Sequence, residues 1–480
     1  MNYSIITYII GWIFAFNALF LSIPCIVSII YNEQSGFYFL FIAILCLLIG
    51  AILISRKPKS KVFYIREGFV TVSLSWIIIS TFGALPFVLS GEIPSFIDAM
   101  FETISGFTTT GSSILTDIES LSHTALFWRS FTHWIGGMGV LVLILAILPL
   151  AGGYNMNLMR AESPGPSVSK LVPKIRNTAM ILYGIYCFLT VTEVIFLLFG
   201  GMSLFDSLTH AFATAGTGGF STKNTSFTDF SPYLQVIATI FMILFGLNFN
   251  VYFLFLIKKP IKALKFEEMR YYLGIITIVI IIITINISHM FSSLSDAIRH
   301  AAFQVAAIIT TTGFSSIDFD KWPQLSKTLL LLLMLIGACA GSTGGGVKVS
   351  RIIILLKTLK KELYSYLHPR SIKKIQFEKK CVEHEVLRNI NVFIMAYSAI
   401  FGLSLLLISF DNFDFTTHFT AIVTTINNIG PGFELIGPTN NFSIFSSFSK
   451  IVLMFDMLAG RLELFPILFL FLPATWKKHT

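Results

Sequence analysis

Charge is scarce in this chain of 480 residues. Asp, Glu, Lys and Arg make up 12%, about half of the ~25% found in soluble domains, while hydrophobic residues reach 55%. Forty-eight phenylalanines add apolar bulk with no hydrogen-bonding group. That is more apolar surface than one soluble core can hide, with too few charges to coat it. A soluble enzyme, a disordered chain and a nucleic-acid-binding domain are all poor fits. Cysteine is scarce too. Cys25, Cys46, Cys187, Cys339 and Cys381 are scattered, four of them in apolar stretches, and no CxxC pair exists. Neither a zinc site nor a disulfide framework is indicated. The nine histidines form no HxxxH or HExxH pair. No nucleophile motif or phosphate-binding loop is present, so the expectation is no enzyme, no catalytic site and no organic cofactor. Basic residues are missing where a signal peptide needs them. No Lys or Arg precedes Arg56, so the first apolar run is expected to persist as a helix.

What is there is membrane-length apolar sequence. A bilayer core of ~30 Å takes about 20 apolar residues per helix. Candidate spans lie at roughly 4–31, 37–55, 67–90, 124–150, 177–200, 231–257, 271–292, 326–356 (interrupted), 389–410 and 448–475, which makes ten. Four shorter apolar segments remain, near 95–110, 203–218, 295–312 and 413–429, each ending in Thr, Gly or Asn. They read as re-entrant, because non-helical backbone at membrane depth must be buried in protein or line a water-filled cavity.

The net charge of +9 would suit a polyanion partner, but its distribution points elsewhere. With the N-terminus inside, Lys plus Arg number five in 56–66, four in 151–176, five in 258–270, nine in 357–388 and two in the tail. All these loops share one face and hold 25, against three (Lys223, Lys321, Lys327) on the other. This is the positive-inside asymmetry, with both termini inside, and no nucleic acid is needed to explain it. Full spanning by the four short segments would abolish it.

Those four segments look alike. They contain Thr108-Thr109-Thr110-Gly111, Thr217-Gly218-Gly219, Thr310-Thr311-Thr312-Gly313 and Asn427-Asn428-Ile429-Gly430. The glycines are 108, 94 and 117 residues apart, and each sits in the same order of span, short helix, glycine-containing strand and span. The fold class expected is therefore an all-α polytopic membrane protein. After an N-terminal two-helix hairpin (1–66) come four pseudo-symmetric pore repeats (67–176, 177–270, 271–388, 389–480) around a central axis. Four loops meeting at one point offer backbone carbonyls that replace the hydration shell of an ion. Glycine permits the unusual φ/ψ and leaves no Cβ on the axis. Each short helix aims its negative C-terminal end inward and favours a cation. A single Thr-Thr-Thr-Gly also reads as a helix stop; recurrence at four equivalent places disfavours that.

At these residues the sequence resembles the Trk/Ktr/HKT superfamily of potassium transporters, and within it the TrkH branch. The likeness includes Trp134-Ile-Gly-Gly-Met-Gly139 running to Pro149, Arg160-Ala-Glu-Ser-Pro-Gly-Pro166, Gly337 to Lys348, Asn427 to Gly432 and Gly460-Arg-Leu-Glu463. The resemblance implies uptake of K+ across the cytoplasmic (inner) membrane. It implies a filter at Thr109, Thr110, Gly111, Thr217, Gly218, Gly219, Thr311, Thr312, Gly313, Asn427, Asn428, Ile429 and Gly430. Potassium would be held at Thr110, Gly111, Gly218, Gly219, Thr312, Gly313, Ile429 and Gly430. Some plant relatives that favour sodium carry serine at the first glycine; Gly111 argues for potassium. Asn427 and Asn428 depart from the Thr-Thr-Gly pattern, as the TrkH branch does. The likeness also implies a homodimer and a cytoplasmic, nucleotide-binding RCK-type (TrkA-like) regulatory subunit beside membrane lipid.

Intramembrane charges are functional candidates by default. Gly341, Gly344, Gly345 and Gly346 precede Lys348 and cannot form an ordinary helix; by resemblance this loop is a gate. Lys348 alternatively snorkels towards the cytoplasm. Arg461 is, by resemblance, an electrostatic barrier in the permeation path; alternatively it pairs with Glu463 or Asp456. Glu102, His210 and Gln304 hold equivalent places on the first three short helices. They either brace the filter or simply pack. Asp117, Glu119, Asp318, Asp320 and Glu434 concentrate cations at the mouth or form a solvated surface. Against passive conduction stands an ion-coupled secondary symporter (K+ with H+ or Na+), whose broken helices would bind an ion at the midplane. Such folds usually repeat twice or invert, unlike four parallel units.

Overall fold

Ser95, Ser203, Ser293 and Asp414 begin four short helices in the same way. Each holds extended backbone and accepts a hydrogen bond from an amide of the first turn, satisfying one of the free donors at a helix start. The structure, a computed structural model, describes residues 1–58, 64–139, 175–371 and 373–477. In chain order its helices are α1 (Tyr3–Tyr31), α2 (Ser35–Ser55), α3 (Ile65–Ser90), α4 (Phe96–Phe107), α5 (His123–Gly137), α6 (Ile175–Phe199), α7 (Leu204–Gly216), α8 (Pro232–Phe245), α9 (Phe249–Leu256) and α10 (Pro260–Leu264). They continue with α11 (Glu267–Ile287), α12 (Leu294–Ile309), α13 (Gln324–Ile336), α14 (Val349–Leu367), α15 (His384–Ile408), α16 (Phe415–Asn427), α17 (Ser447–Arg461), α18 (Phe465–Phe471) and α19 (Pro473–Trp476). The short helices α4, α7, α12 and α16 each follow a long one (α3, α6, α11, α15) and each precedes a loop and another helix.

The apolar cores follow that order. One core joins α1 and α2 to α3, α4, α5 and the last helices α15 to α18. A second is centred on α11, α12 and α13, and a third on α6, α7 and α8. The opposite faces of the long helices stay apolar and uncovered: Phe37, Phe41, Leu47 and Leu48 on α2, and Met395, Leu403 and Leu406 on α15. Exposed apolar surface on this scale fits lipid. Among the described residues, six helices are long and apolar enough to cross a membrane, or seven if α8 and α9 count as one broken span.

Several expected spans are not single helices. The stretch 231–257 bends by 87° between α8 and α9. Asn248 causes the restart: its side chain accepts the Asn250 amide at 3.0 Å. The freed Gly246 carbonyl accepts the Cys339 amide at 3.1 Å. The stretch 448–475 breaks after Arg461, where Glu463 and Leu464 have φ of 53° and 70°. Pro466 then opens α18, a position where its missing N–H costs nothing. The interruption expected in 326–356 falls between α13 and α14. The chain is also not wholly helical: Gln376–Phe377 (β1) and Lys380–Cys381 (β2) pair antiparallel. The loops after α4, α7, α12 and α16 belong to no sheet. The end of the 124–150 span, most of 151–176 and the motif Arg160–Pro166 lie outside the described residues.

Candidate functional site

The four loops converge, and each leans on the next. A Cβ built on Gly111 would overlap the carbonyl oxygen of Gly218; one on Gly219, that of Thr312; one on Gly313, that of Ile429. A Cβ on Gly430 would lie 3.0 Å from the carbonyl oxygen of Thr110, which closes the ring. The residues expected to hold an ion are thus the ones brought together. A cavity of about 120 Å³ is lined by all four glycines at once.

The backbone repeats as closely as the contacts do. Gly111, Gly219, Gly313 and Gly430 have φ of 80°, 78°, 81° and 101°. Two residues earlier in each loop, Thr109, Thr217, Thr311 and Asn428 have φ of 55°, 56°, 59° and 55°. Left-handed backbone is uncommon for any side chain and unusual for a β-branched one. Its recurrence at one position in four loops marks strain held in place by surrounding structure. Two left-handed residues separated by one without positive φ cannot follow the backbone of an ordinary strand. The pattern also fixes the register of the fourth loop on Gly430.

Side chains behind the loops hold this shape. Thr108 and Thr110 pair through their hydroxyls at 2.8 Å, and Thr310 and Thr312 at 2.7 Å. Asn428 reaches from the fourth loop to the Thr110 hydroxyl at 2.9 Å and to the Met457 carbonyl at 3.0 Å. Asn427 donates to Tyr397 Oη at 2.9 Å. Of the three equivalent helix residues, Glu102 accepts from the Ser113 hydroxyl and the Ile114 amide at 3.0 Å, and His210 Nε2 meets the Ser221 hydroxyl at 3.0 Å. Both therefore brace a loop. Gln304 is buried, and its amide finds no hydrogen-bond partner among the described residues.

The glycine loop between α13 and α14 lies against the same ring. The Gly345 amide donates to Thr311 Oγ1 at 2.6 Å, and the Gly346 amide to the Asn427 carbonyl at 3.1 Å. Lys348 starts α14 with φ of 83°. Its buried ammonium bonds the Gly344 carbonyl, so it folds back on its own loop and does not snorkel. Arg461 ends α17 and donates to the carbonyls of Thr343 (3.0 Å), Gly137 (2.7 Å) and Gly136. Of the carboxylates offered as its partners, Glu463 pairs directly with Arg351 while remaining in electrostatic reach of Arg461, and Asp456 accepts from Ser404 at 2.7 Å. The Gly341 carbonyl accepts the Phe249 amide at 3.0 Å.

Two braces escape a reading of the sequence alone. Arg129 forms a buried ion pair with Glu102 at 2.7 Å and stacks over Phe220 of the next loop, 4.1 Å from the ring centre. Glu268 on α11 is buried and accepts from the Ala340 amide (2.7 Å), the Ser350 amide (3.1 Å) and Asn248 Nδ2 (3.1 Å). It thereby ties both ends of the glycine loop. Four of the five acidic loop residues are partnered through their carboxylates. Glu119 pairs with Lys223 (3.5 Å), Asp318 with Lys321 (3.1 Å) and Asp320 with Lys327 (3.4 Å). Asp117 accepts from Asn224 at 2.9 Å, and the Glu434 amide donates to Asp320 at 2.9 Å.

With this geometry in view, the relatives are consistent. A model of the TrkH family, described as cation transport protein, matches residues 35–478. The Trk system potassium uptake protein TrkH of Escherichia coli (strain K12) is 38% identical over the full length of both chains. The Trk system potassium uptake protein TrkG of the same organism is 33% identical over 98% of both. The crystal structure of the potassium transporter TrkH from Vibrio parahaemolyticus superposes with a TM-score of 0.89 at 32% identity, covering 99% of this chain and all of that one. The chain belongs to the TrkH family of cation transport proteins.

Proposed function

We propose that this chain is the potassium-conducting subunit of a Trk-type uptake system, passing K+ along the axis where the four loops meet. The observation that carries this is the closed ring in which Gly111, Gly219, Gly313 and Gly430 each abut a carbonyl of the following loop. Carbonyls held in this way substitute for the hydration shell of a dehydrated cation. The relatives named potassium uptake proteins supply the identity of the ion. In this reading the filter is Thr109 to Gly111, Thr217 to Gly219, Thr311 to Gly313 and Asn427 to Gly430. The loop Gly341 to Lys348, with Arg461, is the gate beneath it. The same reading takes ten spans and four re-entrant loops, in four repeats after an N-terminal hairpin, with both termini and segment 357–388 on the cytoplasmic side of the membrane. A homodimer and a cytoplasmic nucleotide-binding regulatory subunit complete the system.

The test is uptake of K+ in cells lacking their own systems, with Na+ and Rb+ as competitors. Gly→Ser at any of the four glycines should weaken discrimination against Na+, and Gly→Asp should abolish uptake. Wild-type selectivity in Gly219→Ser and Gly313→Ser would sink the filter assignment. Currents that reverse at the potassium equilibrium potential fit conduction. A reversal that moves with the proton or sodium gradient would instead mean coupling.

A further inference from the structure

The second loop breaks the pattern of the first and third. Before their ring glycines, the first and third loops carry threonine pairs, Thr108 with Thr110 and Thr310 with Thr312. The second loop has Gly216 and Gly218 at those places. The backbone does not require either glycine: neither has the left-handed φ of Gly219. The space is filled from another unit. A Cβ on Gly218 would overlap the imidazole of His133 on α5, and a Cβ on Gly216 would overlap the backbone carbonyl of His133.

The His133 ring is fully buried and stacks on Phe220, the residue after Gly219, with centres 4.2 Å apart and 26° between planes. The other attachment of Phe220 is the Arg129 guanidinium. Among the described residues neither ring nitrogen of His133 has a hydrogen-bond partner of full geometry, and the ring's polar neighbour is the backbone of Ser105. The Ser105 carbonyl, which accepts the Thr110 amide at 2.9 Å, has a second lone pair and lies beside the ring. A buried polar ring so poorly partnered is costly. It is wedged between the end of α4 and the second loop.

We propose that His133 is a positioning residue for the second wall of the ion-coordinating ring. Its imidazole stands in for the missing threonine pair and sets the carbonyls of Gly218 and Gly219 at the distance from the axis that the hydroxyl pairs set in the first and third loops. Gly218 is glycine because of His133. The inference rests on the ring being the filter.

The experiment is a double-mutant cycle read as K+ over Na+ discrimination in Rb+ uptake, per folded, monodisperse protein. Gly218→Thr alone should lose uptake, because the new side chain collides with the ring. His133→Ala alone leaves a cavity behind the loop and should lower discrimination by about tenfold. The pair Gly218→Thr with His133→Ala should regain both. Gly216→Thr should not be rescued by His133→Ala, since that collision is with backbone. If Gly218→Thr yields no folded protein, recovery of folded yield in the pair supports the proposal, and its absence overturns it. A double variant no better than Gly218→Thr, or equal rescue at Gly216, also overturns it. Gly219→Ser separates the two layers of argument. If it leaves discrimination intact, the filter reading fails. If it shifts discrimination while 133 and 218 remain uncoupled, only the role of His133 fails.

Discussion

Replacing Arg461 by glutamine should open the barrier beneath the filter without altering ion preference. The guanidinium sits at the end of α17 and is held by the carbonyls of Thr343, Gly136 and Gly137, so on the proposed reading its charge stays in place as an ion passes. At ~5 Å and an effective dielectric of ~20, the repulsion of a monovalent cation is roughly 3 kcal/mol. A barrier of that size slows passage about a hundredfold, since ~1.36 kcal/mol is tenfold. Glutamine keeps an amide donor for these carbonyls and removes the charge. Rb+ uptake per folded protein, without the regulatory partner, should therefore rise towards that factor. Discrimination against Na+ should hold, because the glycine ring is built from other residues. Arg461→Lys separates charge from tethering: it keeps the positive charge but loses the planar fork, so flux should stay near the parent. Equal flux in the Lys and Gln variants would assign the effect to release of Thr343 instead. Unchanged or lower flux in Arg461→Gln would refute the barrier.

Other expectations follow from the same contacts. Glu268→Ala removes the acceptor for three donors, each such bond to a charged group contributing about 1.5–3 kcal/mol. The melting temperature should drop, and a cysteine placed at Ser342 should be labelled faster; an unchanged labelling rate would mean that the loop is tied elsewhere. On the α1–α2 turn, burial raises the Glu33 carboxyl, but hydrogen bonds from Thr124 and His123 outweigh it and hold the carboxyl below its ordinary range. Asp411 and Asp414 are held low in the same way, by Ser446 and by Thr417 against burial. A depressed carboxyl stabilises the fold above its unfolded value of ~4 and loses that contribution as pH falls through the folded one. Stability should therefore decline below about pH 4, and Glu33→Gln should flatten part of that decline in a pH series of melting curves. Cys381 is exposed on the hairpin of β1 and β2. A membrane-impermeant maleimide should label it only after the cytoplasmic side is opened, and labelling of intact cells would overturn the topology.

Glycine positions, spacing and the order of elements were readable from the chain because each is local. Gly313 follows three threonines whether or not the fold is known, and repetition supplies the rest. The braces were not readable, because their partners are distant in sequence. Glu268 sits in the charged stretch Lys265 to Arg270 and looks like a solvated helix start until Ala340 and Ser350, 72 and 82 residues away, are seen to donate to it. Arg129 looks like a stray charge in an apolar run until Glu102 is placed beside it. The bend at Gly246 to Asn248 was hidden because hydropathy averages over a window and does not register a cap inside it. The α17–α18 break carried a local signal in Pro466, overridden by the apolar run on either side.

A channel assembled from four identical subunits changes every wall at once when one codon changes. This chain carries its four walls in one polypeptide, and they already differ: Thr110, Gly218, Thr312 and Ile429 present the carbonyls on which the ring closes. One quadrant can therefore drift in sequence while three preserve the ring, provided that the drifting residue still meets its neighbour in the next loop. On the proposed reading of the ring as the filter, heterogeneity of this kind gives the ion a lopsided cage. The path of least resistance through it need not run along the geometric centre, and each quadrant becomes a separate dial on which ion preference can be altered by inheritance of a single substitution.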